Sequence, residues 1–232
     1  MTVETIKAGF TYPTIESQPG LPFYQTILAT HKKLKENAAS VQSNLGGGRH
    51  GLLGLALKNT LYTTVAVEPF TKPTSPGISP TIPTGATGPQ ISEIVRQHTQ
   101  NLRIWCETTR TDQALQQQII TVFDKEYLLG LRDPHTGFVG ITTLDMLQHP
   151  YDNYGVISAV DLADNDDKLR EAYDPSQPLE TLFHRFEAVV EYADAAKRPY
   201  VPDQLVSRDF LLILKTGLYN DAYKLWQIKL SY

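Results

Sequence analysis

Residues 71–89 hold five prolines and three glycines in nineteen positions. Proline has no backbone N–H and a fixed φ, and glycine loses the most backbone freedom on ordering, so no regular element is expected through such a stretch. It reads as an exposed, partly stiff linker that spans at most roughly 65 Å when fully extended. As a boundary it divides the 232 residues into two parts of opposite charge. Residues 1–89 carry a net +3 and residues 90–232 a net −7, giving −4 overall. The acidic part lacks the clustered cations that supply sequence-independent affinity for nucleic acid. The single cysteine, Cys106, excludes an internal disulfide and a multi-cysteine zinc site, and fits a reducing compartment. No run of about 18 apolar residues is present, so no membrane span is predicted. Residues 1–10 lack the apolar core of a signal peptide.

After the linker the pattern is helical throughout. It is clearest over 178–195, where Leu179, Leu182, Phe183, Phe186, Val189, Val190 and Ala193 recur in steps of three and four, the period of a helix with one buried face. Pro178 suits the first helical position. Ile91, Ile94, Val95, His98, Leu102 and Trp105 keep the same period over 90–107. Asp112 is placed to cap a second helix that carries Leu115 to Leu131. Thr142 with Asp145, and Ser158 with Asp161, have capping-box spacing. Pro150 is expected to kink or end the first of those helices near His149. Further helices follow over 202–216 and 219–229, and the last, with Leu225 and Trp226, runs on without a turn or polar tail.

The N-terminal part is less regular. Residues 1–21 show no period and read as a flexible arm. A helix follows from about Phe23 to Val41, stopped by 44–48 with three glycines. The run 51–57 suggests a buried strand or extended segment, and 61–67 is ambiguous between strand and short helix. The predicted fold is mainly α, a helical bundle in two small lobes with an extended or hairpin segment near 50–67. Its parts are the arm at 1–21, a helix plus extended segment at 22–70, the linker at 71–89, and lobes at 90–155 and 156–232. The second lobe reads as truncated at its C-terminus.

Motifs with chemistry are weak. Gly46-Gly47-Gly48-Arg49-His50-Gly51 matches the dinucleotide pattern literally, but a helix precedes it and an extended run follows, the reverse of what pyrophosphate binding needs. Lys215-Thr216-Gly217 lacks the partner boxes of penicillin-recognising enzymes. No two of the six histidines, nor a histidine with Cys106, stand at metal-ligand spacing. The acidic run Asp161 to Asp174 has no glycine at the sixth position of a calcium loop and reads as a solvated face. No catalytic, cofactor-binding or metal-binding residue is assigned.

Several stretches taken together resemble the Gag polyprotein of copia-type LTR retrotransposons. They are 31–51, the His50-Gly51-Leu52-Leu53-Gly54-Leu55 run, the Pro/Gly linker, 90–131, Tyr151-Asp152-Asn153-Tyr154-Gly155 and 173–193. Lys215-Thr216-Gly217 and the Trp226 helix extend the similarity, which covers about 25–232. The resemblance implies a non-enzymatic helical capsid protein, without a cofactor, that self-associates into a cytoplasmic virus-like particle around element RNA. RNA would be bound through a C-terminal region that is missing here, since neither a basic tail nor a CCHC zinc knuckle is present. Leu52 stands where the family has a second histidine, and Pro150 interrupts a helix the family runs through smoothly. Self-association is expected through the 151–155 turn, the outer side of helix 178–195 and the terminal helix, with Tyr151, Tyr154, Arg185 and Trp226 as contacts. Two other readings stay open: a helical adaptor that holds a partner protein in an apolar groove, and an enzyme whose site the sequence does not reveal.

Overall fold

A computed structural model of the chain describes residues 2–217 and 220–221. Among these it is mainly α-helical, and it divides into two compact units, Met1–Gly155 and Val156–Tyr232.

The first unit contains α1 (Val3–Ala8), α2 (Tyr24–Ser40), α3 (Asn59–Val65), α4 (Gly88–Val122) and α5 (Thr143–Tyr154). Its core joins Ile27, Leu34 and Ala38 of α2 to Leu115, Ile119 and Val122 of α4 and to Met146 and Leu147 of α5. Residues on both sides of 71–89 thus enter one core, so the linker does not separate two bodies. Nor is the N-terminal arm loose. It opens with α1, and Ile6, Phe10 and Ile15 are buried in the same core. Their irregular spacing carries no helical or strand period, because the core and not a repeat selects them.

Buried polar groups pin the arm. Asn37 Oδ1 accepts from the Tyr12 N–H at 2.7 Å, and its Nδ2 donates to the Tyr12 carbonyl and to Gln118 Oε1, each at 2.9 Å. Gln118 Nε2 donates to the Tyr12 carbonyl at 2.8 Å. Asn37 is fully buried, so Asn37→Ala strands partners on the arm and on α4. The expected loss is about 2–3 kcal/mol, measured by urea unfolding, with protease sensitivity rising within 1–21.

The 50–67 stretch is not extended. It folds as a 3-10 turn at Leu53–Leu55 followed by α3. Gly51 takes φ +53°, and the Leu52 N–H donates to the Ala38 carbonyl at 3.0 Å, docking the turn on the end of α2. The glycine triplet is likewise a packed turn, with Gly46 at φ +60° against the Tyr62 ring.

Helix α4 is one element of 35 residues where two helices are expected. Thr87 and Gln90 form its capping box, with Pro89 in the first turn. Asp112 therefore caps nothing in its own helix. It is 4% exposed, and its carboxylate accepts from Thr143 Oγ1 at 2.5 Å, the Thr143 N–H at 3.2 Å and Lys72 Nζ at 2.5 Å. It fastens the start of α5 and the linker to the middle of α4. The Thr142–Asp145 box opens α5 as the sequence implies. Pro150 neither ends nor breaks α5, which continues to Tyr154. The proline is buried against the core, which offsets its missing N–H.

The second unit contains α6 (Ala159–Lys168), α7 (Leu179–Ala195) and α8 (Pro202–Lys215). Leu182, Phe186 and Val189 of α7 pack with Leu169, Tyr173 and Leu212. Asn165 Nδ2 donates to the Val189 carbonyl at 3.0 Å, and the Tyr200 hydroxyl donates to the Asp166 carboxylate. Ser158 and Asp161 form the capping box of α6. Pro178 caps α7 with extended backbone and does not occupy its first turn. Phe183, at the edge of the stripe, is 43% exposed. The expected helix over 219–229, with Trp226, lies outside the described residues.

Candidate interaction surface

The two halves of α4 differ sharply. Every buried residue of the helix, Thr108 to Val122, lies in its second half. Residues 88–107, about 30 Å of helix, contain none. A free helix of this length is marginal in water, so something other than its own backbone bonds must hold it.

At 100° per residue, Ile91, Val95, His98, Leu102 and Trp105 fall within an arc of about 80°. Val95 is 42% exposed, and the other four are half-buried. The charged residues of this half, Glu93, Arg96, Arg103 and Glu107, fall in a second arc of about 80° on the opposite side. Glu93 and Arg96 pair there in bidentate fashion, at 2.8 and 2.6 Å. The guanidinium holds the Glu93 carboxyl below its ordinary range.

The Pro/Gly segment doubles back along one flank of this half. Pro76, Ser79, Pro80 and Thr81 face Ile94, Gln97, His98 and Asn101 across a cleft of about 360 Å³. Pro83 to Ala86 face Gln90, Glu93 and Ile94 across another of about 430 Å³. Lys72, bound to Asp112, anchors the start of this strap. The His98 Nε2 is closed off from solvent and has no hydrogen-bond partner. His98 is half-buried at the edge of this cleft, on the strap side of the apolar arc, with one ring nitrogen unmet.

Of the contact residues expected from the sequence, Tyr151, Tyr154 and Arg185 are engaged within their own units. Tyr151 and Tyr154 are in the last turn of α5, not in a free turn. The Tyr151 ring packs on Tyr24 and His31, with centroids 5.7 and 5.9 Å away. Tyr154 stands edge-on to Tyr127 at 5.1 Å. Arg185 Nη2 donates to the Glu171 carbonyl at 2.9 Å, and Nη1 lies 3.4 Å from the Glu171 carboxylate. That guanidinium ties the segment after α6 to α7. Trp226 is outside the described residues.

His31 is partly buried between α2, the end of the 3-10 turn and α5. Its Nε2 bonds the Ala56 carbonyl at 2.8 Å, so Nε2 carries the proton and Nδ1 accepts from the Tyr151 hydroxyl at 3.3 Å. Burial pushes its pKa below the ordinary value, the Ala56 bond opposes this, and Lys35 and Lys58 add to the lowering. The unfolded chain, near 6.5, therefore takes up the proton first as pH falls. The contribution of His31 to stability is complete above about 6.5 and is lost as pH drops below it. Urea midpoints should fall from pH 7.5 to pH 5 by more in the parent than in His31→Gln. Identical pH dependence in the two would contradict this.

No family model, curated protein or solved structure matches the chain. Among the described residues, no cluster of His, Cys, Asp or Glu could hold a metal ion, and no helix is long and apolar enough to cross a membrane. The surface on α4 is partly visible in the sequence. The period of Ile91 to Trp105 is plain, and Thr87 with Gln90 marks the helix start. That no core receives this face could be read only from the fold.

Proposed function

We propose that the chain is a structural protein of the Gag type that works by associating with copies of itself. The observation that carries this reading is the first half of α4. It is a helix half without a buried residue, with its apolar side chains, Ile104 excepted, gathered toward one side and charges confined to the other. Apolar area is stabilised by removal from water at roughly 25 cal/mol per Å², so a surface of this kind favours association. An all-helical body in two units supports the same reading, since units of this kind can reorient as copies assemble. The virus-like particle, the RNA inside it and its cytoplasmic location belong to this proposal through the resemblance to copia-type Gag. Light scattering on the purified chain across protein and salt concentration tests it. Mass above the monomer that grows with concentration is expected, and a monomer under every condition would overturn the proposal.

The adaptor reading has one observation in its favour. The clefts between strap and α4 are lined by prolines and Ile94 and offer a groove to an apolar peptide. It requires a monomer that binds such a peptide at one to one.

A further inference from the structure

We infer that two copies of the chain pair through the first half of α4, antiparallel, about a two-fold axis that passes beside His98. This rests on the self-association reading and specifies its contact. The seam reads nearly the same in both directions. With His98 as midpoint, Ile91 lies seven residues before it and Trp105 seven after, so each falls opposite the other in the second copy. Val95 and Leu102 likewise fall nearly opposite each other, offset by one residue, or about 1.5 Å of rise. A surface that matches itself under a two-fold rotation is the requirement for a closed dimer.

Five features favour this occupant and this direction. The seam carries no Lys, Arg, Asp or Glu, so it offers no handle to a strongly charged partner. Antiparallel pairing sets Ile91 against the larger Trp105, where parallel pairing would set the two indoles against each other. It also opposes the two helix dipoles, which parallel pairing would align. The polar His98 at the centre fixes register, as a single polar residue does in paired helices. The strap flanks the seam on one side only, leaving Val95 exposed and the half-buried Leu102 partly accessible to the second copy. A contact of two helix halves is small by the standard of stable interfaces, so the pair forms reversibly and its population follows concentration.

The test uses the full chain with Cys106→Ser. His98→Cys is expected to form a disulfide dimer on mild oxidation. A mixture of Ile91→Cys and Trp105→Cys chains is expected to give the mixed dimer well above either self-dimer. Gln100→Cys, on the charged side of the helix, is the control and should not cross-link. Separately, Val95→Glu with Leu102→Glu should weaken dimerisation at least tenfold with unchanged circular dichroism, because neither side chain belongs to the core. Cross-linking of Ile91→Cys to itself in preference to the mixed dimer would overturn the antiparallel arrangement. Seam cross-links no stronger than the control, or association undiminished in the glutamate variant, would overturn the seam while leaving self-association standing. A parent chain that is monomeric throughout would remove both.

Discussion

Gly51→Ala is expected to cost the first unit roughly 3–5 kcal/mol, from the left-handed backbone penalty and the forced repacking together. At φ +53°, a Cβ on this residue would lie 2.3 Å from the Val41 carbonyl oxygen and 2.4 Å from that of Ala39. Both are backbone atoms at the end of α2, so no flexible side chain can move aside. Relief requires the turn to lift off α2, which would break the bond from the Leu52 N–H to Ala38 and leave a helix-end carbonyl unmet. Gly47→Ala supplies the contrast. Its φ is +84°, but nothing lies within 4 Å of the added carbon, so only the backbone term of about 1–2 kcal/mol applies. Urea unfolding followed by circular dichroism separates the two. Equal losses would show that the turn is not packed on α2 as described.

Asp112→Ala should cost about 3 kcal/mol. It removes the acceptor of two bonds from Thr143, which is fully buried, and the partner of Lys72. The buried Thr143 N–H cannot recover its bond from water, and the Thr143 hydroxyl keeps only the carbonyl of residue 112 at 3.2 Å, whereas the Lys72 side chain is 42% exposed and can be solvated. The greater part of the loss therefore comes from Thr143. Lys72→Met should cost less and should release the strap without disturbing the start of α5. The checks are the urea midpoints of the two variants and proteolysis within 71–87. An Asp112→Ala protein no less stable than Lys72→Met would contradict the assignment.

Legibility in the sequence followed the range of the interactions. The α7 stripe and the capping boxes at Thr142–Asp145 and Ser158–Asp161 depend on residues three or four apart, and they stand where the pattern puts them. Asp112 depends on Thr143 and Lys72, distant in sequence, so a buried cross-brace looks like a helix cap. Ile6, Phe10 and Ile15 have no period because each meets a different part of the core. The run 51–57 looks like a strand by its apolar length, yet the positive φ at Gly51 and the 3-10 turn after it let it curl under α2. On the interaction surface, the seam residues were visible as a helical face. Their exposure was not, since period alone does not distinguish a face that meets a core from one that meets another molecule.

Amide hydrogen exchange in α4 at low and high protein concentration tests the self-association surface most directly. Residues 88–107 should exchange quickly in dilute solution and slow markedly as concentration rises. Residues 108–122, already buried in the first unit, should hold the same slow rate throughout. Protection of 88–107 that stays constant across the whole concentration range would contradict a surface that is covered only when copies meet.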